Sequence, residues 1–314
     1  MNLALLISPE VLAAVVRALA PLLLLGAGGL ICHRAGVFNV ALEGLLLLGC
    51  FTAVAASAYT GSAFLGAVTA AVAGAAAAAG FAFGTVTRYG HPLILGSAVN
   101  LLIAGLTTFA LEALFGVRGT YQSPDLARLP HWFSGAAGVP GIGPALAALT
   151  PLGLLALAAV PVTHVVLHRT IAGTRLRGVG DHAEAARSLG VRPDRYQFAA
   201  LVLSGILGGL AGAELSLGAV ALFTENMSAG RGWIIVLALL LTAGRAGPLL
   251  LALACYAYTQ ALGFRLQTVG LPMQVSDAAP YLATLVLMVW FGARRPRAQN
   301  QAERKRFSFG HRGG

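Results

Sequence analysis

Apolar residues run along this chain in blocks of roughly helix length, separated by short stretches rich in Gly, Pro and Arg. Nine such blocks predict helices over residues 11–32, 41–59, 63–86, 93–115, 151–167, 198–219, 233–241, 248–262 and 280–291. A helix needs about 20 apolar residues to cross a hydrocarbon core of about 30 Å, and most of the blocks approach that length. The seventh and eighth are short for full spans. They predict tilted, broken or re-entrant segments, which a membrane tolerates only where protein or a cavity covers the freed backbone. The expected fold is an all-α integral membrane protein, a polytopic helix bundle of about nine segments (eight to ten). Residues 1–293 would form a single transmembrane domain and residues 294–314 a basic, disordered cytoplasmic tail.

The polar gaps predict an orientation, because cytoplasmic loops retain positive charge. The loop 168–197 holds Arg169, Arg175, Arg177, Arg187, Arg192 and Arg195, and the tail holds Arg294, Arg295, Arg297, Arg304, Lys305 and Arg306. Four segments lie between them, an even number, so both can be cytoplasmic. Counting backwards places Arg88 and the His33–Arg34 pair on the same side. The opposite loops carry only Arg118, Arg128, Arg231 and Arg265. The N-terminus is then outside and the C-terminus inside. Residues 1–10 lack a positive n-region, so the first block reads as a retained span and not a cleaved leader. The outer loop 116–150 is rich in Gly and Pro and includes Tyr121, Trp132 and Phe133. Such aromatic residues anchor a membrane boundary or meet an external partner.

Composition agrees with this picture. The 314 residues are 57% hydrophobic and 10% charged, against roughly 25% charged in a soluble domain. The formal net charge of +10 resides in loops between apolar runs. No soluble basic face exists to recognise nucleic acid, so none is expected as a partner. Cys32, Cys50 and Cys255 stand at spacings that fit no metal or redox motif, and read as small hydrophobes. His164 and His168 are spaced to pair on a metal, but they close a helix at the membrane boundary, and no metal site is expected. The only lysine, Lys305, lies in Arg-Lys-Arg, so no Walker A loop is present. Zinc-protease and nucleophile-elbow motifs are absent too. The chain is not expected to be an enzyme, and no catalytic residue is assigned.

Two patterns carry structural meaning. Ser204, Gly208, Gly212 and Ser216 repeat every four positions, flanked by Gly205, Gly209 and Ala213. Such ridges let helix backbones approach closely in lipid, as does the Ala-rich run 74–80. In the basic loop, Asp181 and Glu184 form a capping-box pattern, Gly190 fits a C′ position and Pro193 follows. They predict a helix over 182–189 whose less polar side is Ala185, Ala186 and Leu189. So short a helix is unstable alone. It rests on its own bundle or docks a partner.

The loop resembles the coupling loop of permeases in the branched-chain amino acid, simple sugar and nucleoside family of ABC importers. The resemblance rests on Arg175-Leu-Arg-Gly-Val-Gly180, Ala183-Glu-Ala-Ala-Arg-Ser-Leu-Gly190 and Leu203-Ser-Gly-Ile-Leu-Gly-Gly-Leu-Ala-Gly212. Arg34-Ala-Gly-Val-Phe-Asn-Val-Ala-Leu-Glu-Gly44, Thr224-Glu-Asn-Met-Ser-Ala-Gly-Arg-Gly232 and Asn100-Leu-Leu-Ile-Ala-Gly-Leu-Thr107 add to it. In combination they are most similar to the shorter permease of nucleoside-type importers. Departures are Gly244-Arg-Ala-Gly-Pro248, where the family carries an aromatic-Asn-Pro turn, and the acid Glu214. The resemblance implies a bacterial cytoplasmic-membrane complex with a second, longer permease, a cytoplasmic ATP-binding subunit and an external substrate-binding lipoprotein. ATP and Mg would be used by the partner ATPase, with no cofactor on this chain. The coupling residues would be Asp181, Glu184, Ala185, Ala186, Leu189 and Gly190.

Polar residues inside the blocks are pathway candidates, because a buried charge in lipid faces a partner or a water-filled cavity. Asn39 and Glu43 lie four apart, predicting a shared helical face, and Gly36 and Gly44 bracket them with room for a break. They read as a pathway or gate, with Phe38 beside them, or as a buried hydrogen-bond cluster. Asn100, Thr107 and Glu112 trace a second polar line that reads equally as interhelical glue. Glu225, Asn226 and Arg231 are expected at the outer mouth, bonding one another or meeting the binding protein. Neutral groups such as Asn39, Asn100, Thr107 and Thr108, without an Arg cluster, suit a neutral polyhydroxylated solute. A nucleoside is expected first, with a simple sugar or a branched-chain amino acid as the alternatives within the family. An ion-coupled secondary transporter would show inverted repeats, and none is evident.

Overall fold

The computed structural model describes residues 8–268 apart from Pro140, with isolated helical positions between 278 and 289. The expected segment 280–291, as a continuous element, and the tail 294–314 lie outside the described residues. Eleven α-helices follow one another: α1 Pro9–Arg34, α2 Leu42–Thr60, α3 Ala63–Ala82, α4 Pro92–Phe115, α5 Gly143–Ala147, α6 Pro151–Arg169, α7 Ile171–Asp181, α8 Ala183–Ser188, α9 Pro193–Ala213, α10 Arg231–Thr242 and α11 Ala246–Thr268. Among the described residues, six helices are long and apolar enough to cross a membrane. The chain is a polytopic helical membrane protein.

The sequence writes these boundaries locally. Ser8, Ser62 and Thr150 each accept an amide of the helix that follows, from Val11, Leu65 and Gly153 respectively, as N-cap hydroxyls do. Gly61 and Gly116, at φ +66° and +67°, end α2 and α4 in the left-handed conformation that favours glycine. Two helices loosen at their ends into π turns, Phe83–Thr87 and Glu214–Val220. Each contains a hydroxyl bonded to the carbonyl four residues earlier, Thr85 to Phe81 and Ser216 to Gly212. Such back-bonding competes with the helix ladder.

α9 is the axis of the bundle, with α1, α2 and α3 packed round it. In lipid, helices gain little by burying apolar surface and associate through close van der Waals contact. The small-residue ridge provides it on two sides. Gly205 and Gly209 face α3, where an added Cβ would strike the Gly74 and Ala70 carbonyls. Gly208 and Gly212 face α2 at Leu45 and Cys50, and Ser204 lies against Gly28 of α1. α4 packs on α2, α6 on α1, and α10 and α11 on α1. α3, α4 and α6 are buried over a third of their apolar windows or less, against 61% for α1, α2 and α9.

At one end of the bundle, β1 (Thr120–Tyr121) pairs antiparallel with β2 (Phe223–Thr224), Thr120 opposite Thr224. We call this the hairpin end. The loop before α5 folds back over it: Leu129 donates its amide to the Leu217 carbonyl and Ser57 donates to the Ala127 carbonyl. Trp132 and Phe133 remain exposed there. The opposite end carries α7 and α8.

The short seventh block corresponds to α10, 12 residues long and therefore about 18 Å, half of a membrane span. The eighth, expected as 248–262, is longer than its apolar run, because α11 continues through polar Arg265 and Gln267 to Thr268. A helix absent from the sequence reading, α7, fills most of the loop before α8. Gly173, Gly178 and Gly180 hide it, each costing about 1 kcal/mol of helix propensity against Ala. Two of them are needed for packing. Gly173 abuts the Val166 carbonyl at the α6–α7 corner, and Gly180 abuts the Arg34 carbonyl.

The ridge generates a paired prediction. Gly74→Ala should destabilise the protein by about 1–3 kcal/mol through overpacking against Gly205. Gly80→Ala, on the same helix with nothing within 4 Å, should be neutral or stabilising by up to about 1 kcal/mol. Thermal unfolding midpoints in detergent check this, and equal shifts for the two would refute the close-packing account.

Candidate functional site

The chain leaves helical geometry between α1 and α2, and polar side chains from the break itself, α4 and α9 close the gap. Ala35 caps α1 and Gly36 turns the backbone at φ +74°. Asn39 then folds over its own turn: its Oδ1 accepts the Ala41 amide at 3.0 Å and its Nδ2 donates to Ser204 Oγ at 3.0 Å. From α4, Asn100 accepts the Gly44 amide at 2.8 Å and donates to the Val40 carbonyl at 2.9 Å. A helix start leaves four amides without intrahelical partners, and in lipid each must be met by protein. Asn39 and Asn100 do this for two of them at the start of α2, the Ala41 and Gly44 amides. Phe38 is half-buried and shares a narrow crevice with Asn39, Val236 and Leu239.

Asn39 and Glu43 do not share a helical face as expected. α2 starts at Leu42, so Asn39 lies in the break and turns towards α9, whereas Glu43 turns towards α10. The Glu43 carboxylate accepts the Gly230 amide at 2.7 Å through Oε1 and the Gly232 amide at 2.6 Å through Oε2. Gly232 has no room for a side chain, since a Cβ there would meet the Glu43 backbone. One acid thus caps the N-terminus of the half-length helix. Hydrogen bonds to a charged group contribute about 1.5–3 kcal/mol, and a negative charge at a helix N-terminus adds its dipole attraction. α10 ends at Thr242, and just past it the Gly244 carbonyl accepts from Arg34 Nε at 2.8 Å. The non-helical residues 221–230 bring the chain from the hairpin end to the cap. They turn through left-handed Ala221, Asn226, Ala229 and Gly230. The seventh block is therefore one uninterrupted half-length helix that starts within the bundle.

The second polar line separates into three unlike residues. Asn100 is the clamp just described. Thr107 is buried at 2% exposure and donates to the Ile103 and Ala104 carbonyls of its own helix. Glu112 is exposed and pairs with Arg118 at 2.6 Å beyond the end of α4. The line fails because Glu112 lies about 120° round the helix from Asn100, so the three side chains end in different surroundings.

Glu225, Asn226 and Arg231 likewise form no cluster. Glu225 holds the hairpin end, accepting the Gly119 amide at 2.8 Å and donating its own amide to the Gly119 carbonyl at 2.8 Å. Asn226 supplies a left-handed turn at φ +56°. Arg231 sits in the first turn of α10, beside the Glu43 cap, and donates to the Met227 and Ser228 carbonyls. A cation is poorly placed at a helix N-terminus. Those two carbonyls and the neighbouring acid offset this.

At the other end, α8 is shorter than expected and differently capped. Asp181 closes α7 and is not the N-cap. His182 takes that position, its Nδ1 accepting the Ala185 amide at 3.2 Å. Glu184 then stands at N2 and cannot complete a capping box, which needs N3. Ala186 is buried against the bundle, Ala185 is exposed, and Leu189 projects outward at 83% exposure, just before Gly190 at φ +80°. The Asp-x-x-Glu pattern was ambiguous because α7 runs directly into α8 and uses Asp181 as its last residue.

Sequence reasoning gave Glu214 no role. It is 3% exposed at the start of the π turn and accepts from Thr150 Oγ1 at 2.6 Å. Thr150 itself caps α6 through the Gly153 amide. Glu214 therefore ties the start of α6 to the end of α9. An acid amid small residues was the available signal.

The matches to known proteins cover the same elements. Residues 11–291 match the family described as branched-chain amino acid transport system / permease component. The chain is 31% identical over 300 residues to a putative glucose ABC transporter permease of Haloferax volcanii, covering 88% of this chain and 89% of that one. It is 28% identical over 294 residues to the guanosine ABC transporter permease NupQ of Bacillus subtilis, covering 88% and 89%. It is also 29% identical over 287 residues to the nucleoside ABC transporter permease NupC of Lactococcus lactis, covering 86% and 88%. No solved structure matches. With a helical bundle and a match along nearly the whole chain, this protein belongs to the branched-chain amino acid transport system permease family, as a multi-pass permease of the cytoplasmic membrane.

Proposed function

We propose that this chain is the shorter of two permeases in an ATP-driven importer and forms half of a pathway for a nucleoside. The observation that carries the substrate is full-length similarity to permeases named for guanosine and for nucleosides. The glucose-type relative supports a simple sugar as the second reading. The pathway side would be the uncovered face of α4, where Ser97, Leu101 and Thr108 fall on one stripe and Phe109 lies beside it. Hydroxyls there suit a polyhydroxylated solute, and an exposed ring suits a base. Thr107, turned inward, does not contribute.

The partners in this reading are a longer permease, a cytoplasmic ATP-binding subunit that uses ATP and Mg, and an external substrate-binding lipoprotein. The chain would cross nine times with its N-terminus outside and C-terminus in the cytoplasm. Arg34, Arg88, Arg169, Arg175, Arg177, Arg187, Arg192, Arg195 and Arg245 gather at the α7 end, against Arg118 and Arg128 at the hairpin end, which supports a cytoplasmic α7 end. α8 would dock the ATPase through its exposed side, Ala185 and Leu189, while Ala186 anchors it to the bundle. Glu43 is read as a positioning residue that holds α10 and the gate it forms, because both its oxygens are occupied by backbone amides.

Vesicles containing the complete transporter should take up labelled guanosine or adenosine in preference to ribose and leucine. Preference for ribose would transfer the assignment to sugars, and preference for leucine would overturn both readings.

A cysteine replacing Leu189, in a Cys255→Ser background, should react with membrane-impermeant reagent only from the cytoplasmic side, and one replacing Gln122 only from outside. Leu189→Asp should leave insertion intact and lower uptake at least about tenfold while the ATPase domains still hydrolyse ATP. Normal uptake by that variant would remove α8 from the coupling role.

Glu43→Gln keeps the shape but leaves one amide facing an NH₂ group. It should cost about 1.5–3 kcal/mol of stability and reduce uptake without loss of ATPase binding. An unchanged thermal midpoint together with unchanged uptake would show that the cap positions nothing.

A further inference from the structure

Two clefts at the α7 end join to make one site with two chemistries. The first is an apolar groove of about 450 Å³ between α1, α6, α7 and α9, with Val162, Val166, Leu176 and Leu203 in its walls. The second is a polar opening of about 660 Å³ next to it, edged by Arg175 of α7, by Arg192 and Arg195 at the start of α9, and on its α8 side by Leu189 and Gly190, the residues proposed above to face the ATPase. Tyr196 and Ala199 line both. No acid lines the opening among the described residues. The nearest in sequence, Asp194, faces Arg187 at 3.6 Å. A tyrosine lining both an apolar wall and a cationic mouth is the amphipathic residue type found at a membrane–water boundary.

We infer that this composite cleft holds an anionic phospholipid, with its phosphate at Arg175, Arg192 and Arg195 and one acyl chain along the groove between α6 and α9. Charge complementarity selects the class. A neutral lipid would gain the groove but leave three guanidinium groups without a counter-charge, and a free anion would gain the mouth but leave the groove empty. Basic pockets between transmembrane helices are where anionic headgroups are held. Guanidinium and phosphate also match in geometry through paired N–H donors. The inference needs only that these helices stand in a bilayer and does not depend on which solute is carried. Its consequence is local. The lipid would bridge α6, α7 and α9, filling the angle between α7 and the bundle that the protein leaves open beside α8.

The test uses the purified full-length chain, delipidated in detergent, with phosphatidylglycerol or phosphatidylcholine of identical acyl chains added and bound lipid counted by native mass spectrometry. Phosphatidylglycerol should be retained preferentially. Arg192→Gln with Arg195→Gln should lower that preference, about five-fold for each arginine removed. Ala199→Trp, which fills the shared wall, should lower retention of both lipids. Equal retention of the two lipids by the wild type would overturn the inference. So would displacement of phosphatidylglycerol by inorganic phosphate alone, which would mark an ion site. Release of the lipid on adding the ATPase subunit would assign the arginines to the motor interface and would overturn it too. Should Ala199→Trp fail to fold, the glutamine pair still decides the outcome.

Discussion

The bond that the rest of this architecture depends on is the double acceptance of the Gly230 and Gly232 amides by Glu43. A bilayer leaves no water to meet unpaired backbone, yet this chain begins the half-length α10 within the bundle after a non-helical stretch. A carboxylate is well suited to closing such a start. It offers two acceptors at once, and its charge lies at the positive end of the helix dipole. The arrangement also stabilises the acid, whose isolated charge would be costly in lipid. α2 has the same difficulty at its own start and solves it with neutral amides, Asn39 and Asn100. Two adjoining helix N-termini are thus held by three side chains, and Glu43 itself stands in the first turn of α2. The caps form one connected unit.

That unit is joined to the α7 end by backbone packing. Gly180, near the end of α7, abuts Arg34 and Gly36 at the start of the break, and Gly244, just past α10, abuts the His33 ring. Arg34 donates to the Gly244 carbonyl across the same corner. α8 continues directly from α7. A displacement of α8 would be felt directly at α9 and, through α7, at α6 and at the α1–α2 break. Contiguity of this kind becomes coupling only if the junction has two arrangements that the ATPase and the solute bias differently. Close glycine contacts suit a corner that shifts as a block, since packed backbones do not deform gradually.

What the sequence made legible follows the range of each signal. Apolar runs are local, so the helices lie close to where the runs fall, and the small-residue ridge on α9 was readable as a ridge because its spacing is a single helix face. The half-length seventh segment was readable as an anomaly for the same reason. The partner of Glu43 was not readable, because the bond spans 187 positions and nothing local distinguishes it from a pathway acid. α7 was hidden because the glycines that lower its propensity are the ones its packing needs, a case of tertiary contact overriding local preference. The expected Asn39–Glu43 face failed on one boundary: helical spacing was extended into a break that Gly36 announced. The capping residue of α8 failed on a boundary as well, where two helices meet without a linker.

Exposure has a different meaning in this molecule than in a soluble one. Leu101 and Leu102 on α4 are 77% and 66% exposed. In water such a face would demand a partner, whereas in lipid it is already solvated. Apolar exposure therefore says little about contacts here, and polar exposure says more. On α4 the informative positions are Ser97 and Thr108 among leucines, and at the α7 end they are the three arginines above an apolar groove. In the reading proposed above, the first pair would offer a hydroxylated solute or a second permease chain hydrogen bonds that lipid tails cannot supply, and the arginines would take their missing charge from the bilayer itself. Both conclusions come from asking which exposed groups hydrocarbon cannot satisfy, and for a bundle held together by glycine contacts and buried caps that question locates function better than any search for uncovered apolar surface.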